Sequence, residues 1–245
     1  MGKLPSLILC GLCSITAVFS QETQIFKHWQ LAFHAGAEYF LASSKEGEKL
    51  MIDQLNISPG QAKNYYQKLK PGKVLAADLH YLFKETWGVG LKCIHSWRTN
   101  DDDFLLGNSE DKLSFLVLGI DERMYVTYAG PSFKMQQWLG SNRRWMCAAI
   151  VSLGYVYYRD EVRYAPNLLG FDNSLITGET VGENIEVAIE YYTSPGVSIF
   201  ANAGAFFANL RTLHFNSATT SRRLEPEQPE NISHLALSLG FKFHF

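Results

Sequence analysis

The last eleven residues of the chain, 235–245, constrain its fold more than any other stretch. They read L-A-L-S-L-G-F-K-F-H-F. Every second residue counted back from Phe245 is large and apolar, whereas the residues between them are small or polar. Successive side chains of a β-strand point to opposite faces, so the pattern predicts a strand with one strongly apolar and one polar face.

The same alternation recurs along the chain and predicts eight strands. Each has about the 9–11 residues that a tilted strand needs to cross a bilayer. In the fourth strand Pro131 disturbs the alternation, so its two faces are not assigned from the sequence. The predicted strands cover 29–41, 73–83, 87–97, part of 113–135, 143–158, 184–193, 197–210 and 235–245.

The connections between these strands alternate between long and short. Short turns on one side of a membrane and long loops on the other are typical of outer-membrane barrels. An even number of strands then places both termini on the side of the short turns, which is the periplasm. The long connections are 42–72, 99–112, 160–183 and 213–231, and the short ones are 84–86, about 136–142 and 194–196.

Two of the long connections have further local signals. Ser58-Pro59 combines a capping residue with proline at the first helical position, and 61–70 suits a helix that Pro71-Gly72 ends. A second short helix is predicted from Ser44 to Leu55, so that two helices lie over the external mouth. A mobile loop of partial helicity is the alternative. Segment 217–231 is charged and contains proline, and it is predicted to be disordered.

The amino terminus is predicted to be a signal peptide, residues 1–20. Lys3 supplies its positive end, 4–19 is an apolar run, and 18–20 suits cleavage before Gln21. A membrane anchor is the alternative, but the run is shorter than the roughly 20 residues of a spanning helix. The remaining chain, 21–245, is predicted to be one barrel domain.

Composition narrows the class of protein further. The net charge of −2 gives no indication of a nucleic-acid partner. The mean hydropathy of −0.09 is too polar for a helical membrane protein, whereas alternating strands average to such a value. After the signal peptide only Cys93 and Cys147 remain, and they form neither a disulfide framework nor a metal site.

Three stretches carry a resemblance to a known family: the terminal strand, L-G-Y-V-Y-Y at 153–158 and Y-A-G-P-S-F at 128–133. With the alternating loops, they make the chain resemble the small eight-stranded outer-membrane β-barrels of bacteria, of the OmpA-barrel, OmpX and OmpW type. It looks most like the porin-like barrels of Bacteroidetes. The resemblance covers about 29–245. It implies an all-β, antiparallel, up-and-down transmembrane barrel in the bacterial outer membrane, with short helices in the first external loop.

The resemblance also implies partners. The aromatic ending at Phe241, Phe243 and Phe245 is similar to the carboxyl-terminal assembly signal of outer-membrane barrels. The barrel-assembly machinery is therefore an expected partner, together with outer-membrane lipid and lipopolysaccharide. The protein is expected to be a monomer, and no nucleic acid and no cofactor is expected.

The polar faces of the strands supply charged residues for the barrel interior. Eight strands leave an interior that side chains just fill, and buried charges must be paired. The set therefore predicts ion pairs that hold the barrel together, with a narrow solute or proton path as the functional alternative. A metal site at His80 and Asp78 has less support, because the sequence does not establish which neighbours meet. The candidates are Glu38, Asp78, His80, Lys92, Glu186, Glu190 and Lys242, with His34, His234 and His244 beside them.

These features favour a structural or surface-binding role through the long external loops. A narrow porin-like channel is the first alternative. A lipid A-modifying hydrolase would need a histidine and a serine together, but His214 and Ser217 would point to opposite faces of a strand. No catalytic residue is assigned, and no enzyme is expected. A secreted lipocalin-type barrel with an apolar interior is the last alternative. Trp and Tyr near the strand ends, as at Trp29 and Trp97, argue for membrane interfaces instead.

Overall fold

The computed structural model describes residues 27–42, 45–107, 115–165, 173–217, 220–224 and 229–245. The predicted signal peptide and Ser44 lie outside these residues. The helices are α1 (Lys45–Leu55) and α2 (Pro59–Lys68). The strands are β1 (Trp29–Phe40), β2 (Pro71–Lys84), β3 (Trp87–Gly107), β4 (Phe115–Leu139), β5 (Trp145–Ala165), β6 (Ser174–Ser194), β7 (Val197–Leu210), β8 (Leu213–Ser217), β9 (Ser221–Leu224), β10 (Glu230–Asn231) and β11 (His234–His244).

Eight of the strands close into one antiparallel ring. Strands β1 to β7 pair in chain order, β7 pairs with β11, and β11 pairs with β1. The closing seam contains eleven residue pairs, from Gln30–His244 to Phe40–His234. Because a closed ring has no edge strand, the backbone groups of its wall find partners within the wall. The predicted up-and-down barrel is confirmed.

The register of the ring sets the tilt of its strands. Followed around the ring from Ala149 in β5, the paired residues lead back to Arg159 of the same strand, a stagger of ten residues. With eight strands, such a stagger corresponds to a tilt of about 40° and to an interior that side chains can fill.

The outer face of the ring carries an apolar band. Leu237 and Leu239 are 69% and 72% exposed, which a soluble protein does not repeat around its whole circumference. The polar residues of the same strands face inward, so the lipocalin-type alternative is wrong. Aromatic residues border the band, with Trp29, Tyr81, Trp87, Trp145 and Tyr191 towards the short turns and Tyr39, Trp97, Tyr125 and Tyr157 towards the long connections. Across the described ranges, no helix combines the length and apolar character needed to cross a bilayer.

Four strands continue past the band and form what we call the extension: 98–107, 115–124, 159–165 and 174–178. The predicted ends of the third, fifth and sixth strands, and the long loops 99–112 and 160–183, are therefore wrong. Asp101, Asp102 and Asp103 resemble loop sequence, but 21 consecutive residue pairs hold β3 against β4. Cross-strand hydrogen bonding, which composition does not report, keeps these polar residues in strands.

The prediction that 217–231 is disordered is also wrong for the part that the structure describes. Strand β8 pairs with Ser174–Gly178 of β6, and β9 pairs with β8. Strand β10 pairs with the end of β7. The physical reason is that β6 has 21 residues and β7 only 14, so the upper part of β6 needs another partner.

The two predicted helices are confirmed, and together they form what we call the cap. Ser58 and Gln61 make a capping box, in which Gln61 N donates to Ser58 Oγ at 3.4 Å and Ser58 N donates to Gln61 Oε1 at 3.3 Å. Helix α2 ends at Lys68, two residues before the predicted end. The cap packs on the inner face of the extension through Met51, Ile57, Ala62, Tyr65 and Leu69 against Phe104, Leu118 and Ile120.

The structure assigns the faces of the fourth strand. Pro131 faces outward, and the β4–β5 pairing skips from Ala129–Tyr155 to Ser132–Ser152, where proline has no N–H to donate. Beside it Gly130 meets the facing strand so closely that an added Cβ would lie 2.3 Å from Leu153 O. Only glycine fits this approach.

Candidate functional site in the barrel interior

The seven interior candidates all lie inside the ring. Each of the seven residues is at most 4% exposed. Alternation along each strand explains this, because each residue occupies an inward position between two outward apolar neighbours. Together with other buried residues they form a lower, a middle and an upper layer. The lower layer lies nearest the short turns and the upper layer nearest the cap.

The middle layer is built around Lys92. Its Nζ donates to Asp78 Oδ1 on the neighbouring strand and to Glu186 Oε2 across the lumen, both at 2.8 Å. Asn184 Nδ2 donates to Glu186 Oε1 at 2.8 Å, and Asn202 Nδ2 donates to Glu186 Oε2 at 2.7 Å. One ammonium thus joins opposite walls of the barrel, and the bonds to the amides satisfy the remaining carboxylate lone pairs.

The same layer contains a group of metal-ligand types. Ligand atoms of His34, Asp78 and Glu186 lie within 4.8 Å of one another. The Lys92 ammonium is bonded to both carboxylates, so a metal ion would have to displace it. The group therefore acts as an ion-pair site. His80 does not join it, since its Nε2 lies 3.0 Å from Ser132 Oγ.

The lower layer centres on Glu190. Lys242 Nζ donates to its Oε2, and Ser198 Oγ donates to its Oε1 at 2.5 Å. His244 Nε2 lies 3.0 Å from the same Oε1. All four residues are buried. A carboxylate held by an ammonium, a hydroxyl and an imidazole is well solvated by the protein itself.

Sequence reasoning missed a second lysine in the lower layer. Lys134 is fully buried and donates to Gln30 Oε1. Gln30 Nε2 donates to Gln136 Oε1 at 3.3 Å. Lys134 and Gln136 belong to β4, whose faces could not be assigned across Pro131. The alternation of outward and inward residues, counted back from Leu139 at the end of β4, is the sequence signal that places Lys134 and Gln136 on the inner face.

The upper layer pairs Glu38 with Arg98. Arg98 Nη2 donates to Glu38 Oε1 at 2.7 Å, and His234 Nε2 lies 3.2 Å from Glu38 Oε2. The guanidinium stacks 4.0 Å from the centre of the Phe40 ring. Arg98 was missed because the predicted third strand ended one residue earlier, at Trp97.

Two buried carboxyl groups lie beyond the band, under the cap. Glu122 Oε2 accepts a hydrogen bond from Tyr65 Oη of α2 at 2.5 Å. Burial raises the pKa of Glu122 to about 7, against the opposing effect of that hydrogen bond. Burial and the neighbouring Glu122 hold the pKa of Asp160 well above its usual range. Asp160 lies in the predicted loop 160–183, and Glu122 lies in the stretch 113–135 where the faces of the strand were not assigned, so sequence reasoning did not consider them.

Side chains fill most of the interior. An enclosed space in the middle layer, lined by His34, Glu186 and Asn202 among others, has a volume of about 10 Å³. That is room for about one water molecule. Among the described residues Asn202 Oδ1 has no hydrogen-bond partner, and His34 Nε2 has only Asp78 Oδ2 at 3.5 Å, so both can bond such a water.

The remaining sequence candidates lie outside the lumen. His214 and Ser217 of β8 are three residues apart, and Ser217 Oγ donates to Thr220 O at 3.4 Å, so the structure does not bring them into a catalytic pair. Phe241, Phe243 and Phe245 all face outward and are exposed. Phe245 closes the seam, since it exchanges backbone hydrogen bonds of 2.9 and 3.0 Å with Trp29.

A closed ring with an apolar exterior, aromatic borders and a charged, paired interior suits a bilayer on the outside and polar contacts on the inside. The fold is that of an outer-membrane β-barrel protein. In the bacterial outer membrane the short turns of such a barrel face the periplasm, and the extension with its cap faces the outside.

Comparison with known proteins agrees at the level of the fold. The sequence matches no protein-family model and no curated protein. A major outer membrane protein from Thermus thermophilus is similar at a TM-score of 0.51 and 12% identity, over 89% of this chain and 99% of that one. The outer membrane protein OprG from Pseudomonas aeruginosa gives 0.49 and 13%, over 90% and 97%. Neisserial surface protein A gives 0.46 and 13%, over 89% and 97%.

Proposed function

We propose that this outer-membrane β-barrel protein has a structural or surface-binding role, which it exercises through the extension and the cap. The observation that carries the proposal is the contrast between the two halves of the molecule. The lumen is occupied by paired side chains, whereas the wall continues ten residues past Trp97 to Gly107 and carries two packed helices. A barrel that served only as a membrane anchor would need neither the extended wall nor the two helices.

The contacts between cap and wall support this role. Tyr65 Oη donates to buried Glu122, and Lys68 Nζ donates to Asp102 Oδ2 at 2.7 Å on the exposed side. Eight buried apolar side chains pack between the helices and the strands. The cap is thereby held as one ordered surface, which lowers the entropy cost of binding a partner.

The expected partners follow from the same arrangement. The apolar band suits the lipid and lipopolysaccharide of the outer membrane, and the outward aromatic side chains at 241, 243 and 245 suit recognition by the barrel-assembly machinery. We propose a monomer, because the closed ring is complete within one chain.

Electrophoresis in SDS tests the barrel and its assembly signal. A closed barrel resists SDS until heated, since its wall has no free edge. We expect unboiled protein to migrate faster than boiled protein, and deletion of Phe245 to abolish the shift in membrane extracts. Phe245→Tyr, which keeps the ring, is the control and should retain it. Wild-type protein without a shift and in a soluble fraction would contradict the membrane assignment.

Complementation tests the role itself. In a strain that lacks the protein, the outer-membrane defect is measured as entry of a large antibiotic. Full-length protein should repair the defect, and protein with 45–68 replaced by a Gly-Ser linker should fail while still showing the heat shift. Equal repair by both proteins would assign the role to the barrel alone.

A narrow channel is the second candidate. The observation that favours it is the presence of polar layers at the lower, middle and upper levels of the lumen, although buried apolar residues such as Ile94, Tyr128 and Phe206 also pack inside the ring. Ion pairs that reach into the lumen oppose it, because each must open before an ion passes. Conductance steps in a planar bilayer at neutral pH would support the channel, and their absence in protein that passes the heat-shift assay would support the structural role.

A further inference from the structure

The periplasmic end of the lumen holds more basic than acidic side chains. In the lower layer Lys134 and Lys242 face one acid, Glu190. At the mouth below them, Lys27 and Arg143 face one acid, Glu85. Four bases therefore meet two acids at this end. Glu190 is bonded to Lys242, so the fully buried Lys134 has no ion-pair partner among the described residues.

A cavity opens at this mouth between the short turns. Its volume is about 50 Å³, and its lining includes Lys27, Gln30, Gln136, Arg143, Tyr192 and His244. Such a volume suits a single small polar group. The lining offers side-chain donors from lysine, arginine, amide and phenol groups, which is the donor set of an oxyanion site.

A chain of side-chain amides links Lys134 to the floor of the cavity. Lys134 donates to the Gln30 carbonyl, Gln30 Nε2 donates to the Gln136 carbonyl at 3.3 Å, and Gln136 Nε2 donates to Glu85 O at 2.9 Å. Each amide turns its carbonyl towards Lys134 and its NH₂ towards the mouth. The aligned dipoles thus favour a negative charge in the cavity.

Arg143 is held at the cavity by an unusual backbone. Its φ of +47° lies in the left-handed region, which non-glycine residues rarely adopt. Its guanidinium carbon lies 6.0 Å from the Trp138 ring, and its Nη1 lies 3.7 Å from Glu85 Oε1, too far for a good hydrogen bond. Backbone strain of this kind is often retained where a side chain has a binding task.

We propose that the periplasmic mouth binds a compact oxyanion, either a carboxylate or a phosphate, between Arg143, Lys27 and the amide floor. The planar guanidinium donates two parallel hydrogen bonds to the anion, and Lys27 contributes a point charge. The site does not depend on the role of the cap.

Titration calorimetry at low ionic strength tests the site in purified, detergent-solubilised protein. The probes are inorganic phosphate, and a short peptide with a free or an amidated carboxyl terminus. Arg143→Gln should weaken binding by about tenfold, the loss expected for a charged bidentate contact. Arg144→Gln removes the same charge from the next residue, which does not line the cavity, and should leave affinity unchanged. The heat shift in SDS verifies that each variant is folded.

Arg143→Gly separates binding from folding. Glycine adopts a φ of +47° without strain, so this variant should unfold at a higher temperature than the wild type while losing the anion. Binding of the free but not the amidated peptide identifies a peptide carboxylate, and binding of phosphate alone identifies a free anion. Absence of saturable binding to every probe, or equal losses in Arg143→Gln and Arg144→Gln, overturns the proposal.

Discussion

Lys92→Met is expected to destabilise the folded barrel by about 3–5 kcal/mol, the cost of removing one partner from a buried ion pair. The substitution keeps the length of the side chain but leaves Asp78 and Glu186 facing each other across the lumen. Both carboxylates are shielded from bulk water, because Asp78 and Glu186 are no more than 4% exposed. Urea unfolding in lipid vesicles, followed by tryptophan fluorescence, measures the change.

Lys68→Met is the matched control, because Lys68 Nζ lies 2.7 Å from Asp102 Oδ2 in an exposed pair of nearly the same geometry. Its loss should cost less than about 1 kcal/mol. Adding Asp78→Asn and Glu186→Gln to Lys92→Met should restore much of the stability, since no uncompensated charge then remains buried. Equal costs for the two lysine substitutions would mean that burial does not set the strength of the lumen pairs.

Docking of the cap is expected to weaken by about 3 kcal/mol as the pH rises from 4.5 to 7. The reason is that the pKa of Glu122 is higher when the cap is docked than when it is open. The folded-state pKa is about 7, against 4.5 without burial. The folded protein thus holds the proton over this range while the open state releases it. The stabilisation is complete below pH 4.5 and is lost as the pH approaches 7. Hydrogen exchange of 45–68, corrected for intrinsic rates, measures the docking.

Glu122→Gln is the matched variant for this effect. The amide imitates the protonated carboxyl and still accepts from Tyr65, so exchange of the cap should become nearly independent of pH. Other titratable groups also face Glu122 or its neighbour Asp160 and set the background. They are Tyr65 and Tyr66 on α2, Arg98 on β3, Tyr158, Asp160 and Tyr164 on β5, and Glu230 on β10. A pH dependence that survives in Glu122→Gln would assign the effect to Asp160.

The wall of the barrel could be predicted from the sequence because alternation is a local property. Phe243 and Lys242 differ in class at adjacent positions, and the pleat alone sends them to opposite faces. The capping box at Ser58 was predictable for the same reason, since its partner Gln61 is three residues away.

The extension and its residues could not be predicted in this way. Arg98 lies just past the predicted third strand, Glu122 in a stretch where the faces of the strand were not assigned, and Asp160 in a predicted loop. Pairing with the neighbouring strand keeps all three in register. Likewise, the lumen partners were beyond sequence reasoning. Lys92 and Glu186 are 94 residues apart, and their meeting depends on the stagger of the whole ring.

The closing seam has a consequence for the rate at which the protein forms. It joins His34 to Ser238, which are 204 residues apart in sequence, and no shorter connection completes the ring. To form contacts between residues so far apart in sequence, the chain must lose much conformational entropy before the stabilising bonds form. Proteins with such topologies therefore fold slowly. Until the seam closes, both of its strands present free backbone groups and apolar side chains to water, which invites pairing with other chains. The yield of folded protein therefore depends more on how well the unclosed chain is protected from aggregation than on the stability of the closed barrel.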